Sequence, residues 1–160
     1  MTTRLAAPPE AVDDDPPITA IMSADPVRVA STARLPTAVH LMASTGIRHL
    51  PVMHEERCIG LVVEADLIRR LAVAPGPSVV AIPASLGELV HPSEVVPPTA
   101  RVSDAARRMH STGSDVVLVA DDAALLGIVT ATDLIRFVAG VTGPRVMRSD
   151  PSPPGATDTQ

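Results

Sequence analysis

The stretches VASTARLPTAVHLMASTG (residues 29–46) and VPPTARVSDAARRMHSTG (96–113) are two copies of one pattern. Downstream, CIGLVVEADLIRR (58–70) and LLGIVTATDLIRF (125–137) repeat in the same way, and both pairs are offset by 67 positions. Thr32, Ala33, Arg34, Ala38, Met42, Gly46, Val52, Gly60, Val62, Asp66 and Leu67 each recur at that offset without a gap. An ungapped match of this length marks an internal duplication, and the fold must be built from two similar units.

Within each copy the hydrophobic period changes in a fixed order. Ala38, Leu41 and Met42, like Ala105 and Met109, have the spacing of one helix face, and Gly46 or Gly113 stands where a C-cap glycine belongs. HLPVM and VVLVA follow as short apolar runs, each closed by a polar turn (HEER, DDAA) and followed by a second run, IGLVV or LGIVT. Two such runs joined by a turn predict paired strands. ADLIRRLAV and TDLIRFVAG then return to helical spacing. Each copy therefore reads strand, helix, strand, strand, helix, an α+β unit of about 55 residues that buries too little surface alone, so the two are expected to share a core.

Outward from the repeats, proline sets the boundaries. Of seventeen prolines, eight fall near the ends (Pro8, Pro9, Pro16, Pro17, Pro144, Pro151, Pro153, Pro154) and three in the segment between the copies (Pro75, Pro77, Pro83). Proline fixes φ and removes a backbone donor, which favours tails and linkers over packed elements. The expected organisation is an N-terminal tail (1–16), repeat one (17–72), a Pro-rich linker (73–84), repeat two (85–141) and a C-terminal tail (142–160).

Composition excludes several classes of function. The 160 residues carry 13 basic and 18 acidic side chains, a net charge of −5, and every cation is Arg. The acidic balance argues against nucleic-acid and anionic-membrane binding, and the absence of Lys removes Schiff-base and Walker-loop chemistry. With no Trp, no Tyr and a single Phe, base-stacking platforms are missing. Cys58 is the single cysteine, the N-terminus lacks the order of a signal peptide, and the apolar runs are strand-sized. The expectation is a cytoplasmic protein that is not an enzyme, since no nucleophile with a base, GxSxG or HExxH appears. His49, His54 and Cys58 have spacings a zinc ion could use, but His49 and Cys58 fall in different strands with no second cysteine, so no metal site is expected. His40, His91 and His110 are scattered and read as solvated.

At this point the chain resembles a tandem pair of CBS domains, a Bateman module, through IRHLPV, GIVTATDLI and their doubled context. The resemblance implies two α+β repeats packed about a pseudo-twofold axis, with homodimerisation through a disc-like assembly. It also implies regulatory binding of an adenosine-containing ligand such as AMP, ATP or S-adenosylmethionine between the repeats, with no resident cofactor and an unidentified protein as the regulated partner. Carried over residue by residue, it places phosphate and ribose on Thr130, Thr132 and Asp133, just after Gly127-Ile128-Val129, and the base on Ile47, Arg48 and His49. A second, weaker cleft would combine Asp66 with Ser114, Asp115 and Val116, where Asp115 repels phosphate and Val63 offers no hydroxyl.

The chemistry of these residues agrees with that implication. A carboxylate accepts from two vicinal hydroxyls, a helix N-terminus attracts anions, and Arg48 adds a planar cation. The same Thr130-Ala-Thr-Asp133 also reads as a capping box, and His49 also reads as a hydrogen-bonded structural histidine. The contrasting expectation is a ligand-free module for dimerisation or protein docking.

Overall fold

A computed structural model describes residues 14–72, 85–122 and 124–141. The expected linker 73–84, the C-terminal tail from 142 and the first thirteen residues lie outside the described residues.

Repeat one contains β2 (Val29–Ala30), α1 (Leu35–Thr45), β3 (His49–His54), β4 (Arg57–Val63) and α2 (Glu64–Ala72), preceded by β1 (Ser23–Ala24). Repeat two contains β5 (Val95–Val96), α3 (Val102–Thr112), β6 (Val116–Asp121), β7 (Ala124–Thr130) and α4 (Ala131–Val138). The α+β class and the strand-helix-strand-strand-helix order are as the hydrophobic periods predict. Gly46 (φ 69°) and Gly113 (φ 67°) end α1 and α3 in the left-handed conformation. Leu35, Ala38 and Met42 on α1, and Val102, Ala105 and Met109 on α3, turn the same face inward.

The sheets contain an exchange that the repeat pattern does not show. One sheet runs β2-β3-β4, but the other runs β1-β7-β6-β5, so the strand that begins the chain's first half joins the second repeat. Ser23 pairs with Ile128 and Ala24 with Gly127. The preceding 3₁₀ turn Ile18–Ala20 inserts Ile18, fully buried, among Val96, Met109, Val117, Val119 and Val129. In return the turn Leu86–Leu89 places Leu86 and Leu89 in the core of repeat one, beside Leu50, Val52, Val62 and Leu67. Just beyond it, His91 bridges to Leu61 of β4. Ile18, with Ile21 and Met22 packed around it, therefore belongs to repeat two's core, although these residues lie within 17–72. A third cluster of Leu61, Val116, Leu118, Leu125 and Ile128, flanked by Met53 and Cys58, joins the sheets.

Asp15, assigned to the tail by the sequence, is also engaged. Its carboxylate accepts from the Ser103 N–H at 2.8 Å and the Ser103 hydroxyl at 2.7 Å, while its carbonyl accepts from Arg101 Nη1 at 2.6 Å. Ser103 is the second residue of α3, so a carboxylate 88 residues upstream supplies the N-cap acceptor that Arg101 cannot. Asp104 completes the helix start by accepting the Arg101 N–H at 2.9 Å and an Arg107 guanidinium N–H at 2.7 Å, which hold its carboxyl below the usual carboxylate range. Asp15→Ala should lower stability by about 1 kcal/mol, a fall of a few degrees in Tm by circular dichroism. An unchanged Tm would show that α3 does not depend on this distant cap.

Candidate functional site

Each helix that follows a hairpin begins against the residue just before the hairpin's first strand. The Glu64 N–H donates to the Arg48 carbonyl at 2.9 Å, and the Ala131 N–H donates to the Asp115 carbonyl at 2.8 Å. These two bonds are related by the 67-residue offset. They fix the starts of α2 and α4 as equivalent places whose side chains differ.

At the α4 end, Thr130 and Asp133 are each 7% exposed, the two buried polar residues among those described. Asp133 Oδ2 accepts both the Thr130 N–H (2.8 Å) and the Thr130 hydroxyl (2.7 Å). The capping arrangement anticipated from Thr130-Ala-Thr-Asp133 is thus formed, and it uses one oxygen of the carboxylate. Thr132 is exposed on the first turn of α4. Val116 pairs with Thr130 across β6 and β7, while the Ser114 hydroxyl donates to the Val116 carbonyl at 2.8 Å.

Repeat one reaches this place through His49. Its ring, 8% exposed, lies with Nε2 at 3.0 Å from Asp115 Oδ1 of repeat two. The structural-histidine reading is therefore realised as a bond between the repeats. The Asp115 carbonyl meanwhile accepts the Ala131 N–H, so this residue links the start of α4 to His49 of repeat one. Arg48 is exposed, with its backbone held at α2. Ile47 packs against the core of repeat one, and Ile128 belongs to the cluster between the sheets, so these two contribute packing.

At the α2 end, valine at position 63 removes the capping hydroxyl, and Asp66 takes other partners. Arg69 Nη1 lies 2.6 Å from Asp66 Oδ1, and His91 Nε2 lies 2.8 Å from Oδ2. His91, read as solvated, is 58% exposed but holds this carboxylate. The exchange of segments brings it there, and the 67-residue offset sets His91 opposite Ala24, so the alignment carries no polar signal at that position.

The remaining candidate ligands diverge. His54 Nδ1 is 3.1 Å from the Ser31 hydroxyl, Cys58 Sγ is 3.5 Å from the Gly60 carbonyl, and His49 faces Asp115. Among the described residues no three metal-capable side chains converge. Burial raises the Cys58 thiol above its ordinary pKa. An open depression of about 660 Å³ on repeat two, lined by Val96, Thr99, Asp104, Arg107 and Ser111, lies away from both helix starts.

The model of the CBS domain family matches residues 18–73 and 86–140, which is more than half of the chain. The chain belongs to the CBS domain family. This CBS pair is similar to solved structures at low identity. The pair of protein MJ0100 in complex with 5′-methylthioadenosine and S-adenosyl-L-methionine is 22% identical, with TM-score 0.69 over 80% of this chain and 99% of that one. CBSX2 in complex with AMP is 22% identical, with TM-score 0.65 over 78% and 97%. The CBS domain of a bacterial CNNM/CorC family Mg2+ transporter in complex with ATP is 19% identical, with TM-score 0.66 over 78% and 87%. No curated protein matches the chain. These likenesses establish the fold of the CBS pair. Among its described residues no helix is long and apolar enough to cross a membrane.

Proposed function

We propose that this CBS pair is a regulatory module that binds an adenosine-containing ligand at the start of α4. The observation that carries the reading is the buried Thr130–Asp133 pair, reached from the other repeat by His49 through Asp115. Asp133 uses Oδ2 for the helix cap, and its second oxygen is the acceptor for ribose hydroxyls. Thr132 is exposed on the first turn of the same helix, and the α2 end with Asp66 is the weaker one because Arg69 and His91 already hold that carboxylate. The ligand complexes of three similar CBS structures support the class, AMP, ATP or S-adenosylmethionine. The protein works without a catalytic group, and ligand acts by its differential affinity for two states of the module or of a regulated partner.

Isothermal titration of wild type and Asp133→Ala with these compounds tests the reading. Loss of a charge-assisted hydrogen bond of about 1.5–3 kcal/mol should weaken binding roughly 10- to 100-fold in the variant. A ligand at a hundred times its Kd should raise wild-type stability by about 2.7 kcal/mol, visible as a higher Tm. The absence of heat from a cooperatively melting protein would favour the docking reading. That second reading has its own support: Ile68, Ile135 and Val138 are exposed on α2 and α4, an apolar surface suited to a second copy of the chain.

A further inference from the structure

The depression on repeat two is framed by the loop between β5 and α3 and by one face of α3, and the duplication supplies its own comparison. At the 67-residue offset Val96, Thr99, Ala100 and Ser111 correspond to Val29, Thr32, Ala33 and Ser44, so this frame is common to both copies. The serine bonds also match: the Ser111 hydroxyl donates to the Arg108 carbonyl at 3.0 Å, and the Ser44 hydroxyl to the Leu41 carbonyl at 3.2 Å. The charged lining residues have no such counterparts. Asp104, Arg107 and Arg108 stand where repeat one has Thr37, His40 and Leu41, and Leu41 packs against the core of its repeat. The fold does not require arginine at either position, because repeat one builds the same frame without it.

The charges suit an oxyanion. Asp104 is already engaged, since Oδ2 accepts the Arg101 N–H at 2.9 Å and Oδ1 accepts from Arg107 Nη2 at 2.7 Å. Arg107 uses only that nitrogen, which also reaches the Ser103 hydroxyl at 3.1 Å, so Nε and Nη1 have no partner among the described residues. Arg108 Nη1 lies 3.4 Å from Glu94 Oε2, longer than a strong charge-assisted hydrogen bond. Both side chains are more than half exposed, at 71% and 52%, and Val96, Pro97 and Ala100 give the depression an apolar side. Its volume of about 660 Å³ is that of a small-molecule site.

We propose that this depression is a further binding site, for the phosphate monoester of a small apolar group, with Arg107 and Arg108 holding the phosphate and Pro97 and Ala100 meeting the apolar group. A planar guanidinium donates two parallel bonds to a phosphate, and two guanidiniums match a dianion better than the single charge of a carboxylate. The site stands apart from both helix starts and does not rest on the adenosine reading.

The test titrates phenyl phosphate, inorganic phosphate and phenol into the full chain, followed by calorimetry and by proton–nitrogen correlation spectra. The expected result is saturable binding of phenyl phosphate, at least about tenfold tighter than either of the others. Amide signals of Thr99, Ala100, Arg108 and Ser111 should shift, while those of Thr32, Ala33, Leu41 and Ser44, their counterparts in repeat one, stay in place. Arg108→Leu, which installs the residue of repeat one, should weaken binding about tenfold, and Glu94→Gln should tighten it about threefold by removing the competing carboxylate. Asp133→Ala should leave it unchanged, which separates this site from the start of α4. Equal shifts in both copies, inorganic phosphate as tight as phenyl phosphate, or an affinity unmoved by Arg108→Leu overturns the proposal, whatever the adenosine titrations give. Should Arg108→Leu melt early, the paired amides of the two copies decide by themselves.

Discussion

Replacing Ile18 with alanine is expected to destabilise the protein by about 3 kcal/mol, among the largest losses a single substitution can cause here. Ile18 is fully buried, and its neighbours Val96, Met109, Val117, Val119 and Val129 all come from the second repeat. Truncation would leave a cavity between β7 and α3 that these side chains can only partly close. For a domain of this size the effect corresponds to a fall in Tm of roughly 10 °C. Urea unfolding followed by far-UV circular dichroism suits a chain without Trp or Tyr. Thr19→Ala, exposed on the same turn, is the control and should stay within about 0.5 kcal/mol of wild type. A midpoint for Ile18→Ala equal to that of Thr19→Ala would mean that the first segment does not dock on repeat two.

Gly60→Ala should be similarly severe, and more so than the same change at its repeat partner Gly127. Gly60 has φ +144°, a conformation that L side chains rarely adopt. An added Cβ would overlap the His91 carbonyl oxygen and lie 2.6 Å from Val90 Cγ1. The carbonyl belongs to the backbone bridge in which the Leu61 N–H donates to His91 O and the His91 N–H donates to Leu61 O, so it cannot move without breaking the exchange. Strain and overpacking together point to a loss of about 3 kcal/mol or more. At Gly127 the closest atom is Met22 Sδ at 2.6 Å, the far part of a flexible side chain, with Ser23 O at 3.0 Å. Gly127→Ala should therefore cost about 1–2 kcal/mol. Equal losses at the two positions, measured by the same urea titrations, would show that the backbone approach is not what the glycine serves.

Ile18 lies where the repeat pattern is silent, and Gly60, which recurs as Gly127, owes its constraint to the segment that arrives from beyond the repeat. The helices α1 and α3 were legible from Ala38, Met42, Ala105 and Met109 and from the glycines that end them, because amphipathic period and C-cap chemistry are local. The hairpins β3-β4 and β6-β7 were legible for the same reason. By contrast, β1 is two residues long, too short for any period, and the 3₁₀ turns carrying Ile18 and Leu86 look like connecting chain. The Asp15 cap is invisible because its acceptor and donor are 88 residues apart.

The candidate site divides in the same way. Thr130 and Asp133 could be named from GIVTATD, since a capping box is a four-residue pattern. Their burial, the bond from His49 to Asp115, and the hold of His91 on Asp66 depend on how the repeats face each other. The Asp115 carbonyl anchors α4 as the Arg48 carbonyl anchors α2, and these bonds join residues 16 positions apart across the intervening hairpin.

The sequence by itself determined the duplication, the α+β order of each repeat and the residues that begin and end the helices, because these follow from local periods, caps and turns. Only the tertiary structure decided which repeat each flanking segment completes and which charges meet at each helix start. Those outcomes are set by burying apolar side chains such as Ile18 and Leu86 and by satisfying backbone groups across long separations, and neither leaves a trace in neighbouring residues.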